Sequence, residues 1–194
     1  MPYTSAADDI LFILDNVAGF ETYRAASGHD AADPETLAAI LTEAAGLSDN
    51  VIAPLQTPGD QYPAVLENGV VRASPGYADG YRALSEGGWV GMIADPDYGG
   101  MGLPTTVAMA VHEMLAGACL SLQLNPLLTQ GQIEALEHHA SDEIKRIYLP
   151  KLISGEWTGT MNLTEPQAGS DLNALKSRAE PVSDGSYRIF GQKI

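Results

Sequence analysis

The sequence predicts a mainly α fold that gives way, near its C-terminal end, to the first strands of a β domain. Three observations carry this. Helix starts and stops, with apolar residues three and four apart between them, recur from Ser5 to Leu152. From Trp157 to Thr164 the period changes to two, with Trp157, Gly159, Met161 and Leu163 alternating with Thr158, Thr160, Asn162 and Thr164. Asp184-Gly185, a hairpin-turn dipeptide, then separates two strand-like runs, Ser177–Val182 and Ser186–Phe190.

In chain order, Ser5 can cap a first helix whose Ile10, Ile13, Leu14 and Val17 share a face, with Asp8 and Asp9 favourable in its first turns and Gly19 as its stop. Asp33-Pro34 is an N-cap followed by a first-turn proline. Leu37, Ile40, Leu41 and Ala44 form the stripe of that second helix, and Gly46 is expected to end it. A shorter helix follows over Ser48–Leu55. Pro58, Gly59, Pro63 and Gly69 mark Gln56–Ser74 as an extended connection. Ser74-Pro75 opens a helix that uses Tyr81 and Leu84 until Gly87-Gly88, and Asp95–Pro104 is a turn-rich loop. Pro104 starts a long helix to Leu124 with Val107, Val111, Met114, Leu115 and Ala118 on one face. Two further helices fit Thr129–Ala140 and Ser141–Leu152. The strands begin at Trp157, and the chain reaches Ile194 with the sheet expected to be incomplete.

A formal net charge of −15 disfavours nonspecific nucleic-acid binding and anionic membranes. It leaves room for CoA or a flavin dinucleotide, which backbone N–H groups and a few cations can hold locally. The single cysteine, Cys119, has no intrachain disulfide partner. It sits between Ala118 and Leu120 as a buried structural thiol would, which suits a reducing cytoplasm. Met1–Ala7 lacks a signal-peptide layout. His112, Glu113, Gln123 and Asn125 interrupt the apolar stretch Val107–Leu128, so a buried helix is expected there and no membrane span. Zinc-protease, nucleophile-elbow, Walker and Gly-x-Gly-x-x-Gly patterns do not occur; His112-Glu113 lacks a second His, and His138 and His139 cannot both face one ion from a helix.

The chemistry concentrates in Leu163-Thr164-Glu165-Pro166-Gln167-Ala168-Gly169-Ser170-Asp171. Gly169 permits close backbone approach, while Thr164, Ser170 and exposed N–H groups can donate to a polar ring edge or a phosphate. Read from the residues alone, this is either a cofactor or anion site or an Asp-capped surface turn. The run resembles the signature of the acyl-CoA dehydrogenases, completed by Ala174 three residues after Asp171 and departing from it at Asn162, where a small residue or Cys is usual. Tyr98–Pro104, Ile147–Leu152 with Gly155-Glu156, and Gly191–Ile194 resemble the same family. The N-terminal segment resembles an extension in a longer bacterial subfamily, one that includes methylthiopropionyl-CoA dehydrogenase.

The resemblance implies an N-terminal helical extension over 1–35, the family's helical N-terminal domain over 36–156 and the start of its middle β domain over 157–194. It implies that Met161, Leu163, Thr164, Gly169 and Ser170 lie against FAD, with Ser170 also reaching the CoA part of an acyl-CoA substrate. Glu165 is expected to stabilise the turn rather than act as a base. The Pro104–Leu124 helix is expected to border the acyl pocket, with Met114 and Gly117 as candidates for setting chain length against a plain core role. In the family a carboxylate of a C-terminal helical domain removes the α-proton while a β-hydride passes to the flavin. No part of that domain is recognisable here, so no catalytic residue is assigned and the chain alone is expected to be inactive. The resemblance further implies an electron-transfer flavoprotein as acceptor and a homo-oligomer. Two other readings stand beside it: a flavin-containing, nucleic-acid-associated stress protein of the same fold, which the acidic charge opposes, and a cofactor-free helical interaction module.

Overall fold

Seven α-helices and two short hairpins make up the computed structural model, which describes residues 2–28 and 32–194. The mainly α expectation is borne out. The chain divides into two compact units, one up to Gly159 and one over Thr160–Ile194. Met1 and residues 29–31, which fall in the expected extension, lie outside the described residues.

In the first unit, helix α1 spans Ala7–Asn16 and buries Ile10 and Leu14. Ser5 does not cap it: its N–H and Oγ both donate to Asp49 Oδ1, at 2.8 and 2.7 Å, a tertiary partner that outcompetes the local cap. Ile13 and Val17, expected on the buried face, are exposed. Gly19 is not a stop either. It adopts φ 63° immediately before α2, Phe20–Ser27. Helix α3, Pro34–Leu47, starts as expected, with Asp33 accepting from the N–H groups of Glu35 and Thr36. It runs straight past Gly46 into a π-helical turn, Ser48–Ile52, and a 3₁₀ turn, Ala53–Leu55. Gly46 sits on an exposed face with open space around it, so no packing or turn there demands a break.

The stretch Gln56–Ser74 is not merely extended. It holds α4, Gln56–Gln61, and a hairpin of β1, Val65–Glu67, and β2, Val70–Arg72. Asn68 and Gly69 turn that hairpin with φ of 51° and 79°, the left-handed pair a two-residue turn requires. Helix α5, Tyr77–Glu86, starts after Gly76, two residues later than Ser74-Pro75 suggested, and ends at Gly87-Gly88 as expected. The Asp95–Pro104 loop folds back on the segment before it: Met101, Gly102 and Leu103 N–H groups donate to the carbonyls of Gly91, Ala94 and Met92 at 2.9–3.0 Å.

Helix α6 covers Thr105–His139, joining two expected helices, with Pro104 as N-cap. Its interruption lies at Cys119 (φ −158°, ψ 90°) and not in the gap between Leu124 and Thr129 that separated the two expected helices. By length and composition α6 could cross a bilayer, but its apolar face is the core of this unit: Val107, Val111, Met114, Leu115 and Ala118 are buried, as expected. They pack with residues of α1, α2, α3 and α5. A second cluster joins Ile133 of α6 to Leu149, Leu152 and Ile153 of α7, Asp142–Ile153, whose N-cap is Ser141.

In the second unit, β3 (Arg178–Pro181) pairs antiparallel with β4 (Tyr187–Phe190) in the register Arg178↔Phe190 to Pro181↔Tyr187. The Asp184-Gly185 turn is as expected, with Asp184 Oδ1 accepting from Ser186 N–H and Oγ. Trp157–Thr164 is not a strand. Alternation supplies the pattern, but a strand needs a ladder partner, and among the described residues none pairs with it. The segment is held by single bonds, of which Gly159 N–H to Thr129 Oγ1, 3.0 Å, is fully buried.

Candidate functional site

Among the described residues, a turn in the second unit and a groove in the first can each hold a ligand. In the second unit, Glu165 and Ala168 close a tight turn over Pro166 and Gln167, exchanging N–H to O=C bonds of 3.0 and 2.9 Å. The Glu165 carboxylate faces inward and is 3% exposed. Its Oε1 accepts from Ser177 N–H (3.0 Å) and Lys193 Nζ (2.8 Å), and its Oε2 accepts from Lys176 N–H (2.8 Å) and Gln167 Nε2 (2.6 Å). Both oxygens are therefore saturated. The Lys193 ammonium first, then the amides of Lys176 and Ser177, hold this carboxyl far below the usual carboxylate range. Such a group cannot accept a substrate proton near neutral pH, so Glu165 is the pin of the turn and not a base, as the sequence suggested.

The pin leaves the rest of the turn outward. Thr164, Gly169 and Ser170 are exposed, Met161 is 65% exposed, and Leu163 is half-buried. Neither the Thr164 nor the Ser170 hydroxyl has a hydrogen-bond partner among the described residues, and a Cβ at Gly169 would meet nothing within 4 Å. The carbonyls of Leu163 and Thr164 are engaged by Lys193 Nζ and Ile194 N–H. Asp171 caps the 3₁₀ turn Leu172–Ala174, and Gln167 Nε2 reaches Ala174 O at 3.2 Å. The result is a pinned turn that presents two free hydroxyls and an unobstructed glycine, preceded by the exposed Met161 and the half-buried Leu163. These features suit a planar ring system with a polar edge, or a phosphate.

In the first unit, α1 and α6 enclose an open groove of about 550 Å³. Ile10, Ile13 and Leu14 form one wall; Met109, Glu113, Ala116, Leu120, Leu124 and Leu127 form the other. His112 and Gln123 also line it. They are 9% and 4% exposed, and none of their side-chain nitrogens or oxygens has a partner. Burial pushes the His112 pKa down, so the ring is neutral. Met114 and Gly117 do not face the groove. Met114 is buried in the core, and Gly117 backs onto Tyr3, whose hydroxyl donates to Met114 O at 2.8 Å. Met114 is a core residue, the plainer of the two roles weighed for it, while Gly117 is exposed. The groove face is nevertheless written in the sequence as a second stripe at helical spacing, Met109, Glu113, Ala116, Leu120, Gln123 and Leu127.

A smaller hollow of about 380 Å³, not foreseen, lies among Tyr77, Tyr81, Ser121, Asn125 and Thr158. Tyr77 OH is 2.5 Å from Ser121 Oγ and 3.5 Å from Cys119 Sγ, so these hydroxyls satisfy one another beside the α6 interruption. Cys119 itself is buried, as a structural thiol should be. Among the described residues no cluster of His, Cys, Asp or Glu is arranged for a metal.

The family "Acyl-CoA dehydrogenase, N-terminal domain" matches residues 36–156. The chain is 41% identical over all 194 residues to 3-methylmercaptopropionyl-CoA dehydrogenase of Ruegeria pomeroyi, of which it covers 33%. Among solved structures it resembles butyryl-CoA dehydrogenase from Megasphaera elsdenii (TM-score 0.69, 22% identity, 81% of this chain and 39% of that one). It also resembles an acyl-CoA dehydrogenase complexed with FAD from Bacillus anthracis (TM-score 0.61, 22% identity, 79% and 25%). The chain thus spans about a third of the length of the curated relative it matches end to end.

Proposed function

The chain belongs to the acyl-CoA dehydrogenase family, and on that premise we propose that it forms the N-terminal part of an FAD-dependent enzyme that desaturates an acyl-CoA thioester between Cα and Cβ. The observation that carries this reading is the platform held by Glu165, which presents two unpartnered hydroxyls and an open glycine beside an exposed methionine. FAD, when bound, supplies the acceptor for the hydride from Cβ.

This chain's own residues do the holding. Thr164 and Ser170 donate hydrogen bonds to the polar edge of the ring system, and Ser170 also meets the CoA portion of the substrate. Met161 and Leu163 cover an apolar surface, and Gly169 lets the backbone come close. In the helical unit the α1–α6 groove has a volume within the range usual for small-molecule sites. None of the residues here takes the α-proton, since the one buried carboxylate at the platform is saturated. That base belongs to a C-terminal helical domain of a longer protein, which is also where an electron-transfer flavoprotein and a homo-oligomeric assembly would enter. The 194-residue chain is inactive by itself, and its lack of a nucleic-acid role follows its charge of −15.

The test has two arms. Anaerobic addition of acyl-CoA thioesters to the FAD-loaded full-length protein is expected to bleach the oxidised-flavin absorbance, and the Thr164→Val/Ser170→Ala double variant is expected to lose flavin. Failure of every thioester to bleach a loaded sample would sink the dehydrogenase reading. Turnover by the 194-residue chain would overturn the assignment of the base elsewhere.

A further inference from the structure

Every residue from Gln61 to Ala73 is exposed, so the β1–β2 hairpin stands clear of the helices that carry it. Its two faces differ. Side chains alternate along a strand, so the pair Leu66↔Val71 shares one face while Val65, Glu67, Val70 and Arg72 share the other. Glu67 and Arg72 pair at 2.6 Å and mark their face as the one made for water. Leu66 and Val71 are 72% and 67% exposed on a face without charge. The alternation carries one step further, to Ala73, which lines the hollow of about 380 Å³ beside Tyr77 and Ser121. The apolar stripe of the hairpin therefore starts in the wall of that hollow. Ser74, buried, anchors one foot of the hairpin, and the bond from Tyr62 N–H to Pro58 O, 2.9 Å, anchors the other. Strands of three residues extend about 10 Å, roughly the width of a hollow of this volume.

The hollow lies wholly within the first unit, and none of its lining residues is charged, in a chain whose net charge is −15. Tyr77 and Ser121 share one hydrogen bond of 2.5 Å, which leaves one hydroxyl hydrogen for the Cys119 sulfur, 3.5 Å from Tyr77, or for a ligand. The Asn125 amide and the Thr158 hydroxyl have no partner among the described residues. This floor suits a neutral chain with a hydrogen-bonding end and gives a phosphate no countercharge. Its volume is at the small end of the range usual for small-molecule sites, which favours a short chain. Thr158 stands six residues before Thr164 of the turn proposed to meet the flavin.

We infer that the β1–β2 hairpin is a flap that folds its Leu66–Val71 face over a short acyl chain lying in this hollow, burying both aliphatic side chains and shutting water out. This rests on the reading above that the full-length protein takes acyl-CoA thioesters. The flap's other face, with its ion pair, stays in water.

The test uses the FAD-loaded full-length protein without oxygen, with butyryl-CoA and hexanoyl-CoA as probes and CoA alone as the control. Hydrogen exchange read by mass spectrometry is expected to slow over residues 62–73 with the two thioesters and not with CoA. Leu66→Ser/Val71→Ser is expected to weaken binding of both thioesters about tenfold, since two aliphatic side chains no longer gain from burial. Val65→Ser/Val70→Ser, on the other face, is expected to stay within about twofold of wild type. Exchange over 62–73 that ignores the thioesters overturns the inference, as does equal weakening by the two double variants. Protection already present without ligand overturns it too, assigning the face to another part of the chain, or to a second copy where the protection grows with protein concentration. If neither thioester binds, the flap falls as well. Flavin bleaching is read separately in the same samples, so bleaching without protection removes the flap and leaves the dehydrogenase reading standing.

Discussion

Replacing Thr129 with valine removes one oxygen atom and little else, yet Thr129 holds the exit of the helical unit. Its hydroxyl is fully buried, donates to Asn125 O at 3.0 Å and accepts from Gly159 N–H at 3.0 Å. Valine keeps the shape and leaves the Gly159 amide buried without an acceptor. Such an orphaned donor costs about 1–3 kcal/mol. The helix carbonyl at Asn125 loses only a supplementary bond, so a loss near 2 kcal/mol is expected, which for a chain of this size lowers Tm by roughly 4–8 °C. Thr129→Ser is the control: it keeps the oxygen, sheds one methyl group and is expected to lose only about 1 kcal/mol. Urea unfolding followed by far-UV circular dichroism gives both values, and amide hydrogen exchange reports on Gly159 directly. Thr129→Val within about 0.5 kcal/mol of wild type, with Gly159 still protected, would refute the idea that this bond anchors the segment leading to the platform.

Three other outcomes can be checked. Gly100→Ala places a Cβ onto Ala94 O and is expected to destabilise the first unit by about 1–3 kcal/mol; a Tm equal to wild type would mean the loop can shift aside at no cost. Glu165→Gln replaces one carboxylate oxygen by an NH2, which leaves either the Lys176 or the Ser177 N–H facing a donor, so exchange at one of those amides is expected to accelerate, and unchanged protection at both would remove Glu165 from its role as pin. In the wild type the depressed carboxyl stays ionised well below its ordinary pKa of 4.5, so the pin holds above that pH and is lost only as pH falls far beneath it. His112, with a pKa lowered by burial from 6.5, has the opposite consequence: the unfolded chain takes up a proton that the folded one refuses, and stability drops as pH falls below about 6.5. The slope attributable to it is up to about 1.4 kcal/mol per pH unit, and His112→Gln should flatten it; equal slopes at pH 5.5–7.5 would show that the ring is not the source.

Features governed by neighbours along the chain are legible in the sequence itself. Asp33 before Pro34, Ser141 before Asp142 and Asp184 before Gly185 each act through backbone groups two or three residues away, and each does what its type predicts. Features that depend on distant partners are not. Ser5 has the chemistry of a cap but gives it to Asp49. Trp157–Thr164 alternates like a strand without a neighbour to pair with. The sequence leaves a gap between helices ending at Leu124 and starting at Thr129, yet the interruption falls at Cys119, whose sequence surroundings announce nothing. Asn68-Gly69 is a different case: the hairpin signal is present, but the surrounding prolines and glycines obscure it. At the site, the residue types around Leu163–Asp171 point to a held turn, but only the geometry reveals that Glu165 is spent on four donors. On α6, a helical stripe says which residues align and not which stripe meets protein. Met114 and Gly117 therefore stand out as pocket candidates although the groove lies on another face.

The β1–β2 hairpin exposes Val65, Leu66, Val70 and Val71 on a ribbon of three-residue strands. Sheet edges recruit other chains by offering a row of unpaired amides and carbonyls, and a row this short offers almost none. Brevity is what keeps four aliphatic side chains in water from becoming adhesive. Lengthening either strand by two or three β-branched residues would turn a harmless flap into a template for fibre-like stacking, whereas charged or proline insertions at Asn68-Gly69 would be carried without that hazard.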